Sequence, residues 1–387
     1  MNSPEFGFSK NEYEKRTALF QAHMAQEKIA GTLFTTEAEL RYFSGFQTLF
    51  WQSPTRPWFL FIPQSGKPIA VIPEIGAALM RQTWVTDIRT WPAPSPEDDG
   101  ISLLVDLLAP LAQKRKKLGL LKGSETYLRM PLAYYETLVG QLDGLEICDI
   151  TPQVRAQRMV KSAAEIEKIS YICAVASNSF DAMPHLAFIG QPFCETFRAF
   201  RKECLTQGAD DVPYLVGGAD QGGYIDVISP PSQRPLQMGD IVMLDTGATF
   251  DGYFCDFDRN FAMGKSDDNA RRAYDVLWRA TEAGIEAAVA GAKACDLFYS
   301  MHRVIAELNA LVGSVGRLGH GLGMQLTEWP SNSAWDKTIL QEGMVLTLEP
   351  SLSYGADKIM VHEENIVIEN GKARLLSRRA LPHLPII

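Results

Sequence analysis

Residues 240–263 read DIVMLDTGATFDGYFCDFDRNFAM, and this stretch decides the fold of the second half of the chain. The pattern predicts a strand over residues 240–246, a two-residue hairpin turn at Asp251-Gly252 and a returning strand over residues 253–263. With that turn, Asp258 lies directly opposite Asp245, and Asp256 is a diagonal neighbour on the same face. Three carboxylates so close together are costly unless cations neutralise them or one carboxyl keeps a proton.

Three further side chains of the ligand type follow this hairpin. They are His320 in GHGLGMQLTEWP, Glu349 in LTLEP and Glu363 in VHEEN, each at the end of an apolar run or in a glycine-rich turn. Together with Asp245 and Asp256 they form a ligand set for two metal ions that share carboxylates. Oxygen donors with a single imidazole suit Mn, Co, Fe or Zn, and two such ions activate one water between them.

Composition limits the class of protein. A chain of 387 residues with 46% hydrophobic residues favours two domains. The net charge of −9, with no basic run, argues against nucleic acid as a partner. We also expect a soluble, cytoplasmic protein, because neither a signal peptide nor a membrane-length apolar stretch is evident. The six cysteines have no CxxC spacing, so we expect reduced, mostly buried thiols.

Patterning along the chain indicates an α/β (α+β) fold in two parts. The first part alternates a helix over residues 12–28 with strands over residues 29–35, 59–62 and 69–72. Ser162 and Glu165 have capping-box spacing at the start of an amphipathic helix. We therefore expect an N-terminal α/β domain over residues 1–155 and a second domain over residues 156–387.

Five ordered blocks resemble the creatinase/prolidase/methionine aminopeptidase superfamily, whose C-terminal domain has the pita-bread fold. They are KSAAEIEKI, LQMGDIVMLDTGATFDGYFCDFDRNF, GHGLGMQLTEWP, EGMVLTLEPSLS and VHEENIVIENG. The first 155 residues are similar in length and pattern to the smaller domain of creatinase and prolidase. The resemblance implies that the metal ligands are Asp245, Asp256, His320, Glu349 and Glu363. It leaves open whether Glu363 or the adjacent Glu364 is the last ligand, although the final apolar strand favours Glu363.

The sequence departs from the peptidases of this superfamily at two accessory histidines. Alignment places Thr327 at one of these positions and Ile228 at the other. A threonine or an isoleucine cannot relay a proton near neutral pH as an imidazole does. The departure favours a changed substrate, and Thr327, at the position of one accessory histidine, is a candidate catalytic residue.

Asp258 is a third departure, because the family block carries threonine there. It shares the face of Asp256, so it is a candidate extra ligand, proton acceptor or counter-charge for a cationic substrate. The alternative is a salt bridge to a neighbouring Arg or Lys. We expect Arg259, on the opposite face, to be structural.

Other candidate substrate contacts are less specific. Arg56, in SPTRPWF, resembles the arginine that in creatinase-like homodimers reaches the partner's active site and holds a carboxylate. Tyr224 and Trp329 are candidate walls of the substrate pocket.

The sequence predicts a dinuclear metal-dependent hydrolase, and the resemblance to creatinase and prolidase implies a homodimer. Its first expected substrate is a small amide or other C–N compound, attacked by a metal-bridging hydroxide with Glu349 as the general base. Xaa-Pro dipeptide or aminopeptidase activity is an alternative, as is a metal-dependent lyase of the dimethylsulfoniopropionate-cleaving kind. A non-catalytic binding module is the remaining alternative, and retention of all five ligands argues against it.

Overall fold

The computed structural model describes residues 2–53, 56–307, 316–355 and 357–387, which divide into two compact units. One unit comprises Glu5–Gln157 and the other contains Arg158–Ile387. The fold is α/β, as the patterning predicts. Within the described residues, no helix is long and apolar enough to cross a membrane.

The N-terminal unit is built on one six-stranded mixed sheet. Its strands are β1 (Ile29–Phe34), β2 (Phe59–Pro63), β3 (Ile69–Pro73), β4 (Asp87–Trp91), β5 (Lys117–Leu120) and β6 (Glu146–Asp149). Their order in the sheet is β4-β3-β2-β1-β5-β6, with β1 antiparallel to β2 and parallel to β5. The helices are α1 (Lys10–Gln26), α2 (Glu37–Ser44), α3 (Ala77–Met80), α4 (Ile101–Gln113), α5 (Leu132–Gln141) and α6 (Thr151–Met159). The expected helix and strands are confirmed with shifts of one or two residues at their ends.

The described residues of the C-terminal unit form three sheets and four α-helices. Its helices are α7 (Ala163–Asp181), α8 (Phe193–Gln207), α9 (Asp268–Ala287) and α10 (Ala294–Ala306). Its strands are β7 (Asp211–Gln221), β8 (Asp240–Phe250), β9 (Tyr253–Phe254), β10 (Phe257–Ala262), β11 (His320–Gly321), β12 (Glu328–Ser331), β13 (Val345–Leu348), β14 (Ser351–Tyr354), β15 (Lys358–Val361), β16 (Glu364–Glu369) and β17 (Lys372–Leu375). The two larger sheets have the orders β10-β8-β7 and β12-β11-β13-β16-β17, and β14 pairs with β15.

The start of α7 is set by local hydrogen bonds. Ser162 Oγ accepts from the Glu165 N–H, and the Glu165 carboxylate accepts from the Ser162 N–H. This reciprocal cap satisfies two backbone donors that a helix N-terminus otherwise leaves free. The helix then buries Ile169, Cys173 and Phe180, and α7 packs against β8.

The hairpin between β8 and β10 has the predicted turn and register. Asp251 and Gly252 have φ values of 45° and 71°, as a two-residue primed turn requires. Asp258 pairs with Asp245 in the ladder, as the sequence predicts. The returning strand differs from the prediction, because it is interrupted between β9 and β10. Asp256 lies in that interruption, where its backbone is free to bond outside the ladder.

Candidate metal centre

The five predicted ligands come from five separate segments of the C-terminal unit. Asp245 lies within β8, Asp256 in the break between β9 and β10, and His320 at the start of β11. Glu349 directly follows β13, and Glu363 directly precedes β16. Four of the five residues lie at the end of a strand or in a break between strands, and these strands belong to the two larger sheets.

Three of these side chains form a compact buried group. One ligand atom each from Asp256, His320 and Glu363 lies within 4.8 Å of the others. His320 Nε2 is 3.5 Å from Asp256 Oδ2. All three residues are at most 4% exposed. Two acids and an imidazole at this spacing match the donors that divalent transition metals prefer.

The His320 ring is oriented for coordination through Nε2. Its Nδ1 lies 2.9 Å from the Gly321 carbonyl oxygen, which can only accept, so Nδ1 carries the hydrogen. Burial, followed by the charge of Arg317, lowers the pKa of His320 to about 4. The imidazole is therefore neutral at pH 7 with a free lone pair on Nε2.

Asn365 of β16 holds Asp256 in place across the two sheets. Its Oδ1 accepts from the Asp256 N–H at 2.9 Å, and its Nδ2 donates to the Asp256 carbonyl oxygen. The Cys173 thiol of α7 lies 3.3 Å from the same Oδ1. The amide thus replaces the ladder bonds that the strand break removes. Asn365 was not singled out from the sequence.

The Glu363 side chain belongs to the compact buried group with Asp256 and His320, and the Glu364 side chain points away from that group. The Glu364 carboxylate pairs with Arg259 at 2.9 Å and Arg379 at 3.1 Å, and it accepts from the Ala380 N–H. Arg259 also donates to the Glu363 carbonyl oxygen at 2.8 Å. The predicted structural role of Arg259 is confirmed, and adjacent acids on one strand serve opposite faces.

Tyr214 of β7 is a site residue that the sequence analysis missed. Its hydroxyl donates to Asp245 Oδ2 at 3.0 Å. Burial, and then the charge of Asp245, raise the pKa of Tyr214 well above its usual value, so the hydroxyl keeps its proton. The other Asp245 oxygen, Oδ1, is buried without a hydrogen-bond partner in the described parts of the chain.

The crowded acids have raised pKa values. Burial raises the pKa of Asp245 to about 6. Burial, followed by the charge of Asp245, raises the pKa of Glu349 to about 7, while Arg317 opposes the shift. For Asp256 and Glu363, burial and then the charges of the neighbouring acids raise the pKa well above its usual value. Such repulsion is relieved when cations bind between the carboxylates.

Unpartnered oxygens support a metal at this place. Asp245 Oδ1 and Glu363 Oε1 are both buried, and within the described ranges neither has a hydrogen-bond partner. Buried polar atoms are normally paired, because an unpaired one costs about 1–3 kcal/mol. A cation supplies the missing partner for both oxygens, so these residues fit a metal centre.

Asp258 lies beside this group and makes no salt bridge that the structure records within the described ranges. It is 1% exposed, and its Oδ1 accepts from the Glu363 N–H at 3.1 Å. Its Oδ2 is buried without a partner in the described residues. Arg259 Nη1 donates to the Asp258 carbonyl oxygen at 2.6 Å rather than to the carboxylate. The salt-bridge alternative is therefore wrong.

The two positions aligned with accessory histidines lie at the surface. Thr327 is exposed in the loop before β12, and Ile228 is 74% exposed between β7 and β8. Another imidazole, His362, is buried and turned to α9, where its Nδ1 lies 3.0 Å from Thr281 Oγ1. Among the described residues, His320 is thus the histidine of the compact buried group with Asp256 and Glu363. The catalytic role of Thr327 stays a prediction.

The candidate substrate contacts have different surroundings. Tyr224 is 2% exposed, and its hydroxyl donates to Asn260 Oδ1 at 2.9 Å and accepts from the Val361 N–H at 3.0 Å. Both hydrogen-bonding roles of the hydroxyl are therefore used inside the protein, and the role of Tyr224 as a wall of the substrate pocket stays a prediction. Trp329 is half-buried, with its ring edge-on to Trp335, and stays a candidate wall.

Arg56 belongs to the N-terminal unit. It is half-buried, its carbonyl oxygen accepts from Arg129 Nη1 at 2.8 Å, and its guanidinium lies 5.5 Å from the centre of the Phe50 ring. The preceding Pro54 and Thr55 lie outside the described residues. The contact between Arg56 and a substrate carboxylate stays a prediction.

A buried ion-pair cluster anchors the loop that carries Thr327. The Glu328 carboxylate lies 2.5 Å from Arg158 Nη2 and 3.2 Å from Lys161 Nζ. Burial alone would raise the pKa of Glu328, but Arg158 and Lys161 outweigh it and lower the pKa to about 2. The carboxylate therefore stays charged and fixes the start of β12. Its role was missed because its partners are more than 160 residues away in the chain.

Comparisons with known proteins cover both units. The model described as metallopeptidase family M24 matches residues 155–370, and that of the creatinase/prolidase N-terminal domain matches residues 16–160. A putative dipeptidase, YkvY, from Bacillus subtilis (strain 168) is 37% identical over 320 residues, which is 82% of this chain and 85% of YkvY. The probable dipeptidase PepE from Mycobacterium tuberculosis (strain ATCC 25618 / H37Rv) is 26% identical over 369 residues, 94% of each chain. The crystal structure of dipeptidase PepE from Mycobacterium ulcerans matches with a TM-score of 0.85 and 25% identity, over 98% of this chain and 99% of that one.

Proposed function

The chain belongs to metallopeptidase family M24, with a creatinase/prolidase N-terminal domain, and from this premise we propose that it is a dinuclear metal-dependent hydrolase of dipeptides. The family membership confirms the resemblance drawn from the sequence blocks, including the pita-bread C-terminal domain. The single observation that carries the proposal is the buried group of Asp256, His320 and Glu363, whose ligand atoms lie within 4.8 Å of one another. Relatives named as dipeptidases support the substrate class.

The number of donor atoms favours two ions. Four carboxylates with two oxygens each and one imidazole nitrogen offer nine donor atoms (4 × 2 + 1). One transition-metal ion takes about four to six. We propose that Asp256, His320 and Glu363 hold one ion, that Asp245 holds the other, and that carboxylates are shared between them. When bound, the ions lower the pKa of a water and polarise the scissile carbonyl group.

The protein side chains then divide the remaining tasks. Glu349 is the proposed proton acceptor, because it is half-buried, and among the described contacts none occupies its carboxylate. Asp245 suits this task less well, since its Oδ2 already accepts from Tyr214. The proton that Glu349 takes from the attacking water can pass to the leaving nitrogen from the same carboxylate oxygen. His320, held by Gly321, stays neutral and does not exchange protons.

A small non-peptide amide is a second candidate substrate. It is favoured by the exposed Thr327 and Ile228, which stand where accessory histidines would help to protonate a peptide leaving group. Compounds with a better leaving group need that help less. We retain the predictions that Arg56 holds a substrate carboxylate and that the protein is a homodimer. Loss of Arg56 should raise KM for free dipeptides but not for their amides.

The proposal is tested with a dipeptide panel that includes Xaa-Pro members. Protein loaded with Mn(II), with its metal content measured, is compared with Asp256→Asn and with Asp211→Asn. Asp211 is an exposed acid at the start of β7, so its variant controls for the loss of one charge. We expect turnover by the wild type and by Asp211→Asn, and a loss of at least about a hundredfold in Asp256→Asn.

Other outcomes identify the alternatives. Two bound metals without turnover of any dipeptide would overturn the dipeptidase proposal and direct the search to non-peptide amides. Reaction in heavy-oxygen water separates hydrolysis from lyase chemistry, because only hydrolysis places that oxygen in the product. A chain that binds no metal would instead agree with a binding module.

A further inference from the structure

We propose that Asp258 is a sixth protein ligand of the metal centre, on the ion held by Asp245. The inference rests on the dinuclear centre proposed above and deepens it.

The first support is the register of the hairpin. Asp258 pairs directly with Asp245 in the ladder between β10 and β8. The Cβ atoms of directly opposed residues lie about 4.5–5.5 Å apart, and their side chains share one face of the sheet. Two carboxylates so placed can each offer one oxygen to the same ion.

The second support is the state of the carboxylate oxygens. Asp258 Oδ1 accepts from the Glu363 N–H at 3.1 Å, which fixes the carboxylate beside a predicted ligand. Asp258 Oδ2 and Asp245 Oδ1 are both buried, and within the described ranges both lack a hydrogen-bond partner. One ion between these oxygens gives each of them its missing partner.

The third support is the shortage of any other counter-charge. The neighbouring Arg259 directs its guanidinium to main-chain oxygens and to Glu364, at 2.9 Å from the Glu364 carboxylate. Among the described residues, no Lys, Arg or His forms an ion pair with Asp258. Asp258 is only 1% exposed, so solvent cannot stabilise a charge on its carboxylate either. A metal ion is the remaining partner for a carboxylate buried in this way.

The test counts metals and follows thermal stability. Asp258→Asn keeps the shape of the side chain and an oxygen for the Glu363 N–H, while removing the charge. Mn(II) titration of wild type and variant, monitored by the electron paramagnetic resonance of free Mn(II), gives stoichiometry and affinity. We expect two ions in the wild type, and at least a tenfold weaker second ion in Asp258→Asn.

Melting temperatures give an independent readout. The difference in melting temperature between Asp258→Asn and the wild type should change sign between chelator and Mn(II). In excess chelator, Asp258→Asn should melt higher than the wild type, because it removes one buried acid from a group of crowded acids. In saturating Mn(II) it should melt lower, because it removes a ligand. A merely structural Asp258 would lower the melting temperature under both conditions. Asp258→Thr, which restores the family residue, should behave like Asp258→Asn in the titration.

The outcomes separate this inference from the proposed function. Two ions bound with equal affinity in wild type and Asp258→Asn would overturn the sixth ligand while leaving the dinuclear hydrolase intact. A wild type that binds no Mn(II) would overturn both. A variant that fails to fold in chelator and in Mn(II) would also contradict the inference, since it would assign Asp258 a structural role.

Discussion

At the residue scale, Tyr214 controls how Asp245 presents its oxygens. Its hydroxyl occupies Asp245 Oδ2 and leaves Oδ1 for a metal. For Tyr214→Phe we expect a loss of about ten- to a hundredfold in activity or Mn(II) affinity, as is usual when a group that orients a ligand is removed. Steady-state kinetics and a Mn(II) titration check this. Tyr299→Phe, at an exposed tyrosine on α10, is the matched control. Equal kinetics in both variants would show that the Tyr214 hydroxyl is dispensable.

The difference between the ligands and their supports explains what can be predicted from the sequence. The five ligand-type residues stand in blocks with their own local pattern, so they are recognisable one at a time. Tyr214 and Asn365 are identified only by partners on other strands. Their hydrogen bonds depend on inter-strand register and on a strand break, neither of which local composition specifies.

At the element scale, the turn at Asp251-Gly252 sets the register that places Asp258 opposite Asp245. Gly252 has φ 71°, a conformation that costs a β-branched residue about 1–2 kcal/mol. We expect Gly252→Val to lower the free energy of unfolding by about this amount, and Gly252→Asn to lower it less, because asparagine tolerates that conformation. Urea unfolding measures the stability of both variants. The transition to follow is the one whose urea midpoint rises when Mn(II) is added. A valine variant as stable as the asparagine variant would contradict this account of the turn.

Elements differ in how far their sequence predicts them. The turn and the capping box at Ser162 have dedicated residues, so the sequence predicts them correctly. The break between β9 and β10 has no such residue, since FCDF reads as continuous strand. At this break the Asp256 N–H and carbonyl oxygen bond to the Asn365 side chain instead of to a neighbouring strand. Tertiary contacts decide against local pattern at the place where a ligand is held.

At the scale of the whole molecule, the metal centre couples stability to pH. In the metal-free protein the pKa values of Asp245 and Glu349 are raised to about 6 and about 7, above ordinary values of 3.8 and 4.5. Acids with a raised folded-state pKa favour folding while protonated, and this contribution is lost as pH rises from about 4 to about 7. We therefore expect the melting temperature in chelator to fall between about pH 4 and about pH 7.

Metal binding should reverse this dependence, because the ligands bind as carboxylates and release protons. The increase in melting temperature on adding Mn(II) should be larger at about pH 8 than at about pH 5. An excess of a thousandfold over Kd stabilises by about 4 kcal/mol. Calorimetry at both pH values, with and without Mn(II), checks the sign. An equal increase at both values would show that the acids are not the ligands.

The opposite orientations of Glu363 and Glu364 have a consequence for biosynthesis. The neighbouring Glu364 on β16 binds Arg379 and the Ala380 N–H, and these contacts hold Glu363 in position. During translation, residues 379 and 380 are synthesised after all of the predicted ligands. A nascent chain whose segment around residue 380 is still inside the ribosome has every predicted metal ligand but lacks these contacts to Glu364. We expect metal uptake to follow release of that segment, which would delay the chemistry until the C-terminal unit can close around its own reactive centre.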